Sequence, residues 1–285
     1  MRLIESTDAT LDPIAPGISR VKGFFPGSIV ALQTNRQGGV SFGPFESFNL
    51  GGHVGDDPGA VAANRARLLG VCAGLDARSD GHVWLNQVHG TTVYSGGPIS
   101  THSAADAKVT GTTGEICAVM TADCLPLLIA RPSTGHIAAV HAGWRGLCDG
   151  VIEACLDSML QLGGAESGSN DIEFTEDEWF VWLGPAIGVE SFEVGHEVRQ
   201  AFVDRDPVAI AAFHPSPKNP QKWMADLGLL ARQRIQAWPG DFVARIAQEN
   251  DCVLKNAAQY FSYRRCSKNG QPTGRMASLI YRVGN

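Results

Sequence analysis

MTADCLPLLIARPSTGHIAAVHAGWRG, residues 120–146, decides how the fold is read. Two apolar runs, residues 125–130 and 137–140, flank a turn-rich RPSTG. Short apolar runs bounded by turn residues read as strands, and so brief a connection makes them an antiparallel hairpin. Cys124 opens the first strand and His141 closes the second, so pairing is expected to set a thiol beside an imidazole. AGWRG follows at once and feeds a helix expected to start near Leu147.

Outward from this hairpin the same grammar repeats. SIVALQT, HVWLNQVHG, TTVYSG and EICAVMTA before it, and WFVWLGPAIG and MASLIYRV after it, are rich in Val and Ile and punctuated by turn residues. QYFSYRR also reads as strand. Helical spacing is found in GAVAANRARLLGVCAG, GHEVRQAF and DLGLLARQRIQAW. It is found again in GLCDGVIEACLDSMLQLGG, where Leu147, Val151, Cys155 and Met159 are spaced four apart. The prolines of HPSPKNPQ argue against regular structure there, and acidic residues 165–178 read as a surface connection. Strands and helices mixed in this way predict an α+β fold, a sandwich of mixed sheets with flanking helices. No break divides the chain, so residues 1–285 are expected to form one domain, with 1–22 as an N-terminal extension.

Composition excludes several classes. The 285 residues are 44% hydrophobic, enough for a full core. A net charge of −6 argues against a general nucleic-acid binder. No apolar run approaches the ~18–20 residues that span a bilayer, and the polar start MRLIESTDATLDP is no signal peptide. Seven scattered cysteines point to free thiols in a reducing, cytoplasmic setting. There is no G-x-G-x-x-G before a helix, no Walker loop, no G-x-S-x-G and no C-x-x-C. HEVRQ at His196 lacks the second His of a zinc-protease helix and reads as an ordinary helix.

Three predicted strand ends carry reactive side chains: His89 in NQVHG, Cys124 in TADCL and His141 in VHAGW. Two imidazoles and a thiolate can hold zinc with one position open to water. The same trio can act as a cysteine nucleophile with a histidine base, or be three packed core residues. Arg145, at the expected start of a helix, suits an anion pocket or a salt bridge. Asp123, beside Cys124, is expected to make a structural hydrogen bond, and Cys117 and Cys148 to pack in the core.

TNRQGGVSFGPFESFNLGGHVGDD, WLNQVHG, MTADCLPLL, IAAVHAGWRG, WLGPAIG, FEVGHEV and YFSYRR…TGRMAS together resemble the YfiH family. This is the laccase-domain family, once described as multicopper polyphenol oxidases. The likeness covers roughly residues 23–282. It implies a single α+β domain and a zinc-capable trio at His89, Cys124 and His141, with copper as the other metal. It also implies phosphorolysis of adenosine, inosine, guanosine and S-methyl-5'-thioadenosine, and deamination of adenosine. A second implied role is editing of peptidoglycan precursors, which here takes the form of an amidase with Cys124 as nucleophile. Asn35, where relatives usually carry Ser or Thr, and the long link after SYRR depart from the family pattern.

On the phosphorylase reading, Arg145 is the first candidate phosphate anchor, followed by Arg36, Arg65 and Arg264. Asn49 is a candidate substrate contact or a turn-former. The partners are a nucleoside and phosphate, and monomer and homodimer both stay open. A four-copper oxidase is disfavoured because none of the eight histidines forms a His-x-His pair. A metal-binding protein without catalysis is the remaining alternative.

Overall fold

The structure, a computed structural model, describes residues 2–78, 84–96, 104–162, 177–240 and 242–284. The chain enters a sheet at its second residue. β1 (Arg2–Glu5), β2 (Thr10–Ala15), β3 (Ile18–Lys22) and β4 (Ile29–Thr34) precede the first helix, α1 (Pro58–Ala73). Then come β5 (Val93–Tyr94), β6 (Ala107–Thr110), β7 (Cys117–Thr121), β8 (Leu125–Arg131) and β9 (His136–Ala142). Two helices follow, α2 (Trp144–Asp149) and α3 (Val151–Leu162). The second half holds β10 (Glu178–Leu183), β11 (Glu193–Val194), α4 (His196–Arg205), β12 (Phe213–Pro215) and β13 (Trp223–Ala225). It closes with α5 (Leu227–Ala237), β14 (Val243–Gln248), α6 (Tyr263–Ser267) and β15 (Met276–Arg282).

The strands form a mixed sheet in the order β1-β14-β10-β8-β9-β6-β5, an antiparallel sheet β2-β3-β4-β15-β7, and a small sheet β11-β13-β12. This is the expected α+β architecture. The hairpin β8–β9 sits inside the mixed sheet and is buried on both faces. Leu125, Leu127, Ile129, Ala138 and Val140 face the core shared with α3 and α5. Leu128, Ala130, Ile137 and Ala139 face the other way, into the core shared with β4, β7 and β15. Because successive strand residues point to opposite faces, burial on both sides requires continuous apolar runs. The sequence shows such runs here. Each fully buried aliphatic side chain contributes about 1.5–3 kcal/mol, so the hairpin is among the most firmly held parts of the molecule.

Residues 2–22, within the expected N-terminal extension, carry three strands: β1 pairs in parallel with β14, and β2–β3 extend the second sheet through β4. Several local expectations are corrected. The helix expected near Leu147 begins at Trp144 and breaks at Gly150, whose φ of 105° puts it in the left-handed region. The described part of HVWLNQVHG is loop with one isolated bridge at Asn86. YRRCS is helical, because the Ser262 hydroxyl caps it by accepting from the Arg265 amide. His214 and Pro215 lie in β12, at the edge of its sheet where a proline is tolerated. Of the acidic connection, residues 165–176 lie outside the described residues; Glu178 already belongs to β10.

Candidate metal and substrate site

His141 is the penultimate residue of β9 and is buried. Its Nδ1 lies 2.8 Å from Oδ1 of Asp106, which immediately precedes β6. A carboxylate can only accept, so Nδ1 carries the proton and Nε2 is left free for a metal or a thiol. Cys124 lies just outside β8. The register pairs His141 with Pro126 and Ala142 with Leu125, so Cys124 is beyond the last pair and not opposite His141 as expected. The chain bends immediately before it, at Asp123, whose φ is 100°. The Asp123 carboxylate accepts from Ser262 Oγ at 2.6 Å and from the Arg264 amide at 2.5 Å, the structural role expected of it. Cys117 and Cys148 are buried, also as expected.

His89 comes from a loop and is exposed, with a φ of 63°. Its Nε2 is 3.7 Å from Cys124 Sγ. The two imidazole rings meet edge to face at 4.8 Å between centroids. All three candidate ligand atoms lie within 4.8 Å of one another. Two ligands on one tetrahedral zinc lie about 3.3–3.6 Å apart, so the donor set fits with small adjustments. Gly143 makes the convergence possible. A Cβ there would lie 2.5 Å from His89 Cδ2 and 3.2 Å from Cys124 Sγ.

The trio is electrostatically coupled. Burial alone would raise the Cys124 thiol, yet the neighbouring His141 and His89 bring it down to about 6. Burial would likewise lower His141, but the Cys124 thiolate and Asp106 raise it to about 9.

The trio opens into a cavity of about 480 Å3. Met120, Trp144, Ile187, Phe192 and Leu227 give it an apolar wall. Arg145, Arg264 and Arg275 bring positive charge and donors, and His53, whose charged form is disfavoured by burial and by Arg275 and Arg65, adds a ring nitrogen. Arg145 lies over the Trp144 ring at 4.3 Å. Arg264 donates through Nη1 to the Glu193 carbonyl at 2.8 Å and lies over Phe192. Arg275 donates to the Thr273 and Gly274 carbonyls.

The other sequence candidates do not border this cavity. Arg36 donates to the Glu46 and Ala257 carbonyls and lies over Phe261. Arg65 donates to the Leu50 carbonyl and covers Trp84 at 4.5 Å. Asn49 is fully buried; its amide donates to Gly51 O and Asp56 and accepts from the Gly51 and Arg275 amides. Asn49 thus acts from behind, tying the loop that leads to His53 to the strand that presents Arg275. Residue-level reading missed Arg275, His53 and Asp106. The first two lie in motifs already quoted, TGRMAS and FNLGGH. Nothing in SAADAKV signals that Asp106 reaches the trio.

A family model described as multi-copper polyphenol oxidoreductase laccase matches residues 30–283. The chain is 45% identical to purine nucleoside phosphorylase PA4543 of Pseudomonas aeruginosa, over 90% of this chain and 94% of that one. It is 42% identical to purine nucleoside phosphorylase YfiH of Escherichia coli, over 90% and 96%. Among solved structures, protein NMB0706 of Neisseria meningitidis superposes with a TM-score of 0.74 at 36% identity, covering 94% of this chain and 100% of that one. Bacillus licheniformis YfiH shares the fold, with a TM-score of 0.78 at 24% identity and coverage of 97% and 100%.

Proposed function

The chain belongs to the multi-copper polyphenol oxidoreductase laccase family, which is also the YfiH family, and we propose that it phosphorolyses purine nucleosides at the His89–Cys124–His141 cavity. The observation that carries this reading is the union, in one cavity, of an apolar wall, three arginines and the trio. The wall suits a purine face. Arg145, Arg264 and Arg275 suit a phosphate dianion, which needs several fixed positive donors when drawn from water. Adenosine, inosine, guanosine and S-methyl-5'-thioadenosine are the proposed substrates.

In phosphorolysis a phosphate oxygen bonds to C1′ as the C1′–N9 bond breaks. The arginines hold the phosphate in line and offset its charge, and the apolar wall limits the water that would compete for C1′. Two imidazoles and a soft thiolate suit zinc, with copper as the other candidate. When bound, zinc supplies a Lewis acid beside the substrate. Asp106 keeps the proton of His141 on Nδ1, so Nε2 stays available. Deamination of adenosine, with water replacing the 6-amino group, is proposed as a second activity of the same cavity. All seven cysteines are free and no described helix is long and apolar enough to cross a membrane; the free thiols support a cytoplasmic setting.

The test incubates wild type and Cys124→Ala with adenosine, with and without phosphate. Phosphate-dependent release of adenine and ribose-1-phosphate, lost in the variant, is expected. Undiminished release by the variant removes Cys124 from the chemistry.

One observation favours a second reading. Cys124, His141 and Asp106 stand in the order nucleophile, base and orienting carboxylate. That order suits an amidase acting on a peptidoglycan precursor. Amide cleavage that survives complete chelation of metal would favour it. A four-copper oxidase needs many more ligands than the single metal-capable group found among the described residues.

A further inference from the structure

Asp106 has no solvent exposure and uses both carboxylate oxygens twice. Oδ1 accepts from His141 Nδ1 at 2.8 Å and from the His89 amide at 2.9 Å. Oδ2 accepts from the Gly90 amide at 2.7 Å and from the Val88 amide at 3.2 Å. Its main chain joins the same groups, because the Asp106 carbonyl accepts from the His141 amide at 2.7 Å and its own amide donates to Thr92 O at 2.9 Å. Residues 88–90 belong to no strand, Val88 and His89 are exposed, and His89 has a left-handed backbone. Such a conformation persists only where surrounding contacts over-determine it. Three consecutive amides turned onto one carboxylate are that determinant.

We propose that Asp106 is the positioning residue that assembles the trio. It fixes the imidazole of His141 and, through the main chain of residues 88–90, places His89 against it. Metal binding is then prepaid, because two ligands from different parts of the chain are aligned before any ion arrives. This inference rests on the metal-centre reading of the trio and not on the identity of the substrate.

The test is Asp106→Asn. An asparagine replaces one acceptor oxygen with a donor. Whichever way it turns, its NH2 group faces two N–H groups. Zinc affinity, measured by chelator competition on metal-free protein, is expected to fall about 10- to 100-fold, as for other supporting partners of metal ligands. In the zinc-loaded variant kcat is expected to fall while KM for phosphate stays put, because the arginines do not touch Asp106. Unchanged zinc affinity in a folded variant overturns the proposal, even if its Tm drops; that result marks a merely structural residue. Should the variant fail to fold, nitrogen NMR of the His141 ring in cadmium-loaded wild type decides. Metal on Nε2 with the proton on Nδ1 supports the proposal, and metal on Nδ1 overturns it. Both affinity and NMR are independent of turnover, so a wild type without phosphorylase activity would sink the substrate reading and leave this one standing.

Discussion

The trio is built by two regions of opposite character. Cys124 and His141 hang from the ends of β8 and β9, a hairpin sealed on both faces by separate apolar cores. His89 stands on an exposed loop held by hydrogen bonds to one buried carboxylate. The hairpin places its ligands through packing, which is spread over many side chains. The loop places its ligand through a few polar contacts, each of which can be removed singly. Packing damage should therefore cost stability, and loop damage should cost the site.

The comparison can be broken most severely at the thiolate. Cys124→Ser is expected to weaken zinc affinity by more than the ~100-fold that loss of a supporting residue costs, with the fold intact by circular dichroism. Leu127→Ala, inside the hairpin, is expected to cost about 2–5 kcal/mol of stability by denaturant titration. Its kcat per folded molecule should be unchanged; a loss of kcat would mean that the hairpin core and the site are not separable. Arg275→Ala is expected to raise KM for phosphate about 10- to 100-fold, from the loss of charge-assisted hydrogen bonds of about 1.5–3 kcal/mol. Arg36→Ala is its control and should leave that KM within about twofold, since Arg36 serves main-chain carbonyls away from the cavity. Gly143→Ala gives the smallest expected loss among the site variants and sharpens the contrast. Its Cβ pushes on the His89 ring, so metal affinity should fall about tenfold, about 1.4 kcal/mol. An unchanged affinity would show that the loop yields freely.

Much of this was readable in the chain. Apolar runs on either side of RPSTG specified a hairpin, and AGWRG specified a turn into a helix. Reactive residues at the ends of the runs were singled out because strand ends are where side chains leave a sheet for a cavity. The membership of His89 was readable too, but its element was not. NQVHG has the composition of a strand, but its polar groups turn to distant partners: Gln87 to the main chain of Met120, and the amides of residues 88–90 to Asp106. Arg145 led the candidate phosphate anchors, Arg36, Arg65 and Arg264 followed it, and Asn49 was a substrate contact or a turn-former; no local pattern separated Arg36 and Arg65 from Arg264. The fold turned Arg36, Arg65 and Asn49 onto carbonyls, aromatic rings and a buried amide network, and Arg145 and Arg264 onto the cavity.

By itself the sequence determined what depends on strong local periodicity: the hairpin, most of the longer strands and helices, and the three residue types that can bind a metal. Only the tertiary structure decided which distant groups meet. His53, Asp106, His141 and Arg275 converge because two sheets and their loops bring them together, and no periodic signal records a contact between residues so far apart in the chain. The physical reason is that burial patterns report how many faces of a segment are covered. They do not report which hydrogen-bond partner a buried polar group will find, and at this site those partners set the geometry of the trio.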